Sequence, residues 1–158
     1  MRPVRPGAIA VAVAAVLGVS IVSVAAVARR QAARPVVIEP APVVAPADAS
    51  GVPRIAVGDL MKISGGGNAL IVDVRGEDAF AFRHIAGAVH MPLVEIERRA
   101  NELRAFARGR LIVTYCSCPT EHTSAEAGFR LMKQGVRVSV LVGGLPEWVK
   151  QGGPTASQ

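Results

Sequence analysis

The two cysteines of the chain, Cys116 and Cys118, lie two residues apart, directly after the apolar run 111–115. A cysteine reacts as its thiolate, and the pKa of a thiol falls when its sulfur lies among backbone N–H groups at the N-terminus of a helix. The residues that follow, 119–122, read Pro-Thr-Glu-His, so the loop is predicted to be polar and exposed. This pattern favours a pair of reactive or ligating thiols over two inert buried ones.

The elements that must position this pair alternate along the chain. Strands are predicted at 69–74, 111–115 and 136–142, and helices at 77–82, 92–107, 123–134 and 145–151. Thr123, with Glu126 three residues later, is typical of a capping box at the start of a helix. The alternation predicts an α/β domain with a mainly parallel sheet flanked by helices. Both cysteines therefore fall between a strand end and a helix start, where such sheets bind ligands.

The N-terminal part of the chain differs in composition from the rest. Residues 7–28 carry no charge and are long enough to cross a bilayer, which takes about 20 residues. We expect a single-pass anchor within residues 1–34, with a cleaved signal segment as the alternative. Residues 35–53 are rich in proline and are predicted to form a linker. The domain is expected at 54–154, followed by the tail 155–158, and on the periplasmic or extracellular side of the membrane.

Charge is unevenly distributed along the chain. The net charge is +6, but five arginines fall within the first 34 residues, without an acidic residue among them. From residue 51 onward the chain has 13 basic and 10 acidic residues, so the predicted domain is nearly balanced. A high isoelectric point that arises in this way is weak evidence for nucleic-acid binding. We therefore expect no nucleic-acid partner.

Five motifs, in order along the predicted domain, resemble those of the rhodanese-like family of sulfurtransferases. They are LIVDVR at 70–75, RHIAGAVHMP at 83–92, VTYC at 113–116, SAEA at 124–127 and LVGGLPEW at 141–148. The resemblance implies a rhodanese-like α/β fold and a sulfurtransferase activity. In that activity Cys116 would accept a sulfane sulfur from a donor such as thiosulfate, become a persulfide, and pass the sulfur to a thiol or other nucleophilic acceptor. Asp73 and Arg75 would support the site.

The loop departs from the family pattern. It has no Lys or Arg from 116 to 124, it contains Glu121, and it is about two residues longer than the usual loop. Anionic donors are therefore expected to bind poorly, and Cys118 becomes an alternative nucleophile. Contacts with the substrate are predicted for the polar residues Ser117, Thr120, Glu121, Thr123 and Ser124. His122, if protonated, would stabilise a thiolate.

Two thiols so close together leave other chemistry open. A Cys118 thiolate would be able to attack a Cys116 persulfide, release sulfide and leave a small, strained and easily reduced ring. Together with His122 the thiols would suit Cu(I) or Zn²⁺, but the set is one ligand short of a closed zinc site. We expect neither a metal nor another cofactor. The alternative to an enzyme is an inactive rhodanese-like module that binds a partner or senses redox state through the two thiols.

Overall fold

The computed structural model of the protein describes residues 42–158. The predicted anchor at 7–28 and the first part of the linker lie outside these residues. Within residues 42–158 no helix is both long enough and apolar enough to span a membrane. The anchor therefore stays a prediction.

A parallel sheet of five strands forms the centre of the domain, in the order β1-β6-β5-β2-β4. Its strands are β1 (Arg54–Ile55), β2 (Ala69–Asp73), β4 (Val89–His90), β5 (Leu111–Tyr115) and β6 (Val138–Leu141). Two short strands, β3 (His84–Ile85) and β7 (Thr155–Ala156), pair antiparallel beside it. The predicted α/β class with a mainly parallel sheet is confirmed, and β5 lies in the middle of the sheet.

Helices cover both faces of this sheet. They are α1 (Val57–Gly65), α2 (Glu77–Phe82), α3 (Ala100–Ala107), α4 (His122–Lys133) and α5 (Gly144–Lys150), with short 3-10 turns at Ala49–Gly51 and Leu93–Glu95. Because successive strand residues point to opposite faces, β5 contributes to two apolar layers. Ile112 packs with Leu103 and Leu131 on one face, and Val113 packs with Leu60 and Trp148 on the other. Both layers pack against the strand that leads to the cysteines.

The predicted helix at 92–107 is wrong as a single element. Only Ala100–Ala107 is α-helical, and Leu93–Glu95 forms a separate 3-10 turn. The reason is that the Leu93 N–H donates to the carbonyl of Val74, so the first residues of the segment bond to the end of β2. Helix α1 was not anticipated, because its N-cap, Ala56, offers no capping side chain.

The predicted capping box at Thr123 and Glu126 is also wrong. Helix α4 begins at His122, and its N-cap residue is Glu121 in the left-handed region, with a φ of 54°. The Glu126 carboxylate instead accepts a hydrogen bond from Arg130, one turn further along the helix, at 2.6 Å. The start of α4 is therefore determined by contacts of the cysteine loop with other elements rather than by a local side-chain cap.

The packed domain extends upstream of residue 54. Val52 is buried, and Val43, Ala45 and Ala49 pack against the same apolar layer as α4. The last residues of the proline-rich segment therefore contact the core instead of serving only as a spacer.

Candidate active site

Cys116 lies where the sequence places it, directly after β5 at the carboxyl edge of the sheet. Residues 117–121 then lead into α4. Because the strands are parallel, the same edge also holds the end of β2 with Asp73 and the end of β6 with the turn at Gly143. The loop is therefore in reach of residues that are distant from it in sequence.

The backbone of Cys116 is held by the turn between β6 and α5. Its carbonyl accepts a hydrogen bond from the Leu145 N–H at 2.9 Å. The preceding residue, Gly144, has a φ of +54°, and a Cβ at this position would lie 2.2 Å from the Cys116 oxygen. Only glycine allows so close an approach of the two backbones. The Gly-Gly motif thus positions the cysteine directly.

Glu121, at the other end of the loop, connects the loop to the β6–α5 turn and to β1. Its Oε1 accepts a hydrogen bond from the Gly143 N–H at 2.8 Å, and its Oε2 lies 3.5 Å from Arg54 Nε. The side chain is 14% exposed and does not line the cleft at the cysteines. We expected this carboxylate to repel anionic donors, but its charge is directed toward β1 and the β6–α5 turn and is partly compensated there.

Both cysteines line a cleft of about 470 Å³. Its walls are the cysteine loop with Thr123, the turn after β2 with Arg75, and the segment Pro92 to Val94. A cavity of this size admits a small molecule or an extended chain segment. A sulfur donor that enters it would meet both thiols.

Cys116 is the more buried of the two thiols, with only 2% of the residue exposed. The Ser124 hydroxyl donates to its Sγ at 3.5 Å, and the N–H groups of Cys118 and Ser124 also point toward it. These donors are outweighed by burial and by the bond from the Cys116 thiol to the Cys118 sulfur, which together raise the pKa of Cys116. The expected N–H cradle is present, but free Cys116 is held as a thiol.

Cys118 carries more of the thiolate character. It is partly exposed, and its Sγ lies 3.9 Å from Thr123 Oγ1. Burial opposes its ionisation, but hydrogen bonds from the Cys116 thiol and from the N–H and hydroxyl of Thr123 outweigh it and lower the pKa of Cys118. The pKa of Cys118 is thus lowered and that of Cys116 raised, although the sequence predicted Cys116 to be the nucleophile.

Arg75 brings a positive charge to the loop that the loop itself lacks. Its Nη1 donates to Ser117 Oγ at 3.0 Å, and its Nη2 donates to Asp73 Oδ2 and to the Arg83 carbonyl, each at 2.6 Å. Asp73 is fully buried and also accepts from the Tyr115 hydroxyl at 2.5 Å. The supporting role that the family resemblance implied for Asp73 and Arg75 stays a prediction, and these contacts place both residues next to the loop. The direct bond to the loop was not anticipated.

The other candidate residues lie at varied distances from the cleft. Ser117 and Thr123 line it, Ser124 is buried beneath Cys116, and Thr120 is exposed outside it. His122 is exposed at the start of α4, and within residues 42–158 the hydrogen bonds of the two sulfurs are with Cys118 O, Thr123 Oγ1 and Ser124 Oγ. Over the same residues, no cluster of three or more His, Cys, Asp or Glu side chains could hold a metal.

Comparisons with known proteins agree with this geometry. The family profile described as the rhodanese-like domain matches residues 56–151. The putative sulfur carrier protein YrkF of Bacillus subtilis is 32% identical over 103 residues, which are 64% of this chain and 53% of that protein. The transcriptional regulator Rv0324 of Mycobacterium tuberculosis is 32% identical over 113 residues, 70% of this chain and 49% of that protein. The chain thus spans about half the length of the curated relatives it matches.

Solved structures share the fold. The BH2092 protein of Bacillus halodurans is 26% identical, with a TM-score of 0.59 over 66% of this chain and 77% of that one. The Alr3790 protein of Anabaena is 29% identical, with a TM-score of 0.58 over 65% of this chain and 80% of that one.

Proposed function

The chain belongs to the rhodanese-like domain family, and from this membership we propose that it transfers sulfane sulfur through a persulfide on Cys116. A role related to sulfur transfer is supported at the level of the family and by the similarity to a putative sulfur carrier protein. The proposal of a persulfide on Cys116 depends on the position of the Cys116 sulfur. It faces the cleft from the end of β5, with the Ser124 hydroxyl and two backbone N–H groups directed at it.

The contacts of Cys116 support a balanced first step. As the Cys116 sulfur attacks the outer sulfur of a donor persulfide, its thiol proton is released to the solvent. A new S–S bond forms on Cys116, and the donor leaves as a thiolate with the electron pair of the broken S–S bond. The persulfide anion that results would be stabilised by the N–H groups and by the Ser124 hydroxyl. A thiol or other nucleophile then accepts the outer sulfur.

The charge around the cleft favours some donors over others. Among residues 42–158, Arg75 is the charged residue that lines the cleft, and its charge is already paired with the buried carboxylate of Asp73. A doubly charged donor such as thiosulfate would therefore find little net positive charge at the cleft. We propose that small thiol persulfides are better donors than thiosulfate.

Intact-protein mass after sulfur loading tests this function. The reduced full-length protein and its Cys116→Ser and Cys118→Ser variants are exposed to cysteine persulfide or thiosulfate, freed of donor and weighed. We expect the Cys118→Ser variant to gain the mass of one sulfur atom, and the Cys116→Ser variant to gain none. Gain on the Cys116→Ser variant alone would instead assign the persulfide to Cys118.

The burial and raised pKa of Cys116 favour one alternative, an inactive rhodanese-like module that senses redox state or binds a partner through the two thiols. The same measurement separates the two functions. If no donor loads sulfur onto either variant, and mild oxidation removes the mass of two hydrogen atoms from the wild type in a way that a reductant reverses, the module is the correct description.

We also propose that the domain is tethered to a membrane through residues 7–28, on the non-cytoplasmic side. The support is the uncharged length of this segment, which suffices for a span. The full-length protein, expressed in a bacterial cell, is expected to stay in the membrane pellet after extraction at alkaline pH. It should also be digested by protease added to spheroplasts. Release as a shortened, soluble chain would show a cleaved signal segment instead, and protection from protease would reverse the orientation.

A further inference from the structure

The second thiol of the loop provides a nucleophile within the site, which a single cysteine would lack. We propose that Cys118 discharges the Cys116 persulfide as hydrosulfide and leaves a Cys116–Cys118 disulfide, so that the domain reduces sulfane sulfur as well as carrying it. This inference rests on the proposed function, because it requires a persulfide on Cys116.

The two cysteines are separated by one residue and line the same cleft. The Cys116 Sγ lies 3.9 Å from the carbonyl oxygen of Cys118, so the backbone of Cys118 is directly beside the Cys116 sulfur. Cys118 is held over the first turn of α4, where its Sγ lies 3.9 Å from Thr123 Oγ1 and its carbonyl accepts from the Glu121 N–H at 3.1 Å. These contacts hold Cys118 at the cleft that Cys116 also lines.

The opposite pKa shifts of the two thiols indicate which cysteine attacks the other. The hydrogen bonds that lower the pKa of Cys118 favour its thiolate, which is the nucleophilic form. Cys116 is 2% exposed, so an external nucleophile has restricted access to its inner sulfur, whereas Cys118 lies one residue away in the same cleft. A nucleophile held in place reacts as though it were at very high concentration. The internal reaction should therefore compete well with transfer to an acceptor in solution.

The step balances without an external oxidant. The Cys118 thiolate attacks Cys116 Sγ and forms the Cys116–Cys118 bond, while the bond between Cys116 Sγ and the outer sulfur breaks. The electron pair of that bond leaves with the outer sulfur, which departs as hydrosulfide. The sulfane sulfur is thus reduced to sulfide, and the two cysteines are oxidised to a disulfide. A disulfide closed across one residue is strained, so an external thiol reductant would reset the pair.

A single-turnover experiment on the full-length protein tests this proposal. The reduced protein is loaded briefly with cysteine persulfide in the cold, freed of donor, warmed, and followed by intact mass and by colorimetric assay of hydrosulfide. The wild type is expected to release one equivalent of hydrosulfide per persulfide and to end with the mass of two hydrogen atoms missing. The Cys118→Ser variant is expected to keep its extra sulfur, with release slower by about a hundredfold or more.

A matched variant separates the position of the second thiol from its mere presence. The double variant Cys118→Ser/Thr120→Cys restores a thiol to the loop at an exposed position outside the cleft. It is expected to keep the persulfide as the Cys118→Ser variant does. The wild-type rate should also be independent of protein concentration, since the reaction is within one chain.

The outcomes distinguish this inference from the proposed function. If the wild type and the Cys118→Ser variant both load and release hydrosulfide equally slowly, Cys118 does not discharge the persulfide, and sulfur transfer through Cys116 stands. Release from the double variant at the wild-type rate would likewise overturn the inference. If neither the wild type nor any variant loads sulfur or releases hydrosulfide, the proposed function itself fails.

Discussion

Replacing Gly144 with alanine is expected to lower the free energy of unfolding by about 3 kcal/mol, the combined effect of a left-handed backbone and an overpacked contact. The new Cβ would lie 2.2 Å from the Cys116 carbonyl oxygen, and the atoms it meets are backbone atoms rather than a side chain that could move aside. Relief of the clash would separate the turn from the loop and break the Leu145 N–H bond to Cys116. Urea unfolding measures the loss, and sulfur loading of the Gly144→Ala/Cys118→Ser double variant measures its effect on the site.

Gly87→Ala is the matched control for this change. Gly87 also has a positive φ, of +79°, but a Cβ there would meet nothing within 4 Å. Its substitution should therefore cost only the backbone strain, about 1 kcal/mol. Equal losses of unfolding free energy in the two variants would mean that the approach to Cys116 is not close enough to matter.

The Asp73→Asn substitution is expected to destabilise the domain by about 3 kcal/mol, because it breaks a buried ion pair and leaves the charge of its partner uncompensated. Asp73 is fully buried, and the Arg75 side chain that it binds is only 12% exposed. An asparagine keeps the shape of the aspartate but turns one acceptor oxygen into a donor beside the donating groups of Arg75 and Tyr115. Chemical denaturation of the variant and the wild type gives the difference.

Asp59→Asn provides the comparison on the surface. Asp59 pairs with Lys62 at 2.8 Å, but its side chain is 63% exposed, so its loss should change stability by less than about 0.5 kcal/mol. If Asp73→Asn were no more destabilising than Asp59→Asn, the buried network could not be what holds Arg75 against the loop.

Local patterns predicted the part of the fold that local forces determine. Strands β2 and β5 were predicted correctly because buried parallel strands are continuously apolar. The position of Cys116 followed from the end of the apolar run of β5. Helix α2 has its predicted bounds. The segment 92–107 was misjudged because its first residues bond to β2, a contact with no signature in its own periodicity.

The site depended more on distant contacts. Arg75 reaches Ser117 across 42 residues of sequence, and Glu121 reaches Gly143 across 22. Neither pairing could be inferred without the order of the strands. The pKa order of the thiols likewise depends on how deeply the first turn of α4 covers Cys116 and on Thr123 beside Cys118, which loop composition does not reveal.

The burial of Val52 has a practical bearing on how the domain is produced for biochemistry. Its Cγ1 occupies the space above Gly128 in α4, 2.9 Å from where a Cβ would be, and the neighbouring Arg54 holds Glu121. A recombinant boundary drawn at the first recognisable motif would remove Val52 and loosen the helix whose first turn contacts both sulfurs through Thr123 and Ser124. Shortened forms of the protein should therefore begin at or before residue 42. Low activity of such a form would then reflect the chemistry of the site and not the loss of the Val52 contact.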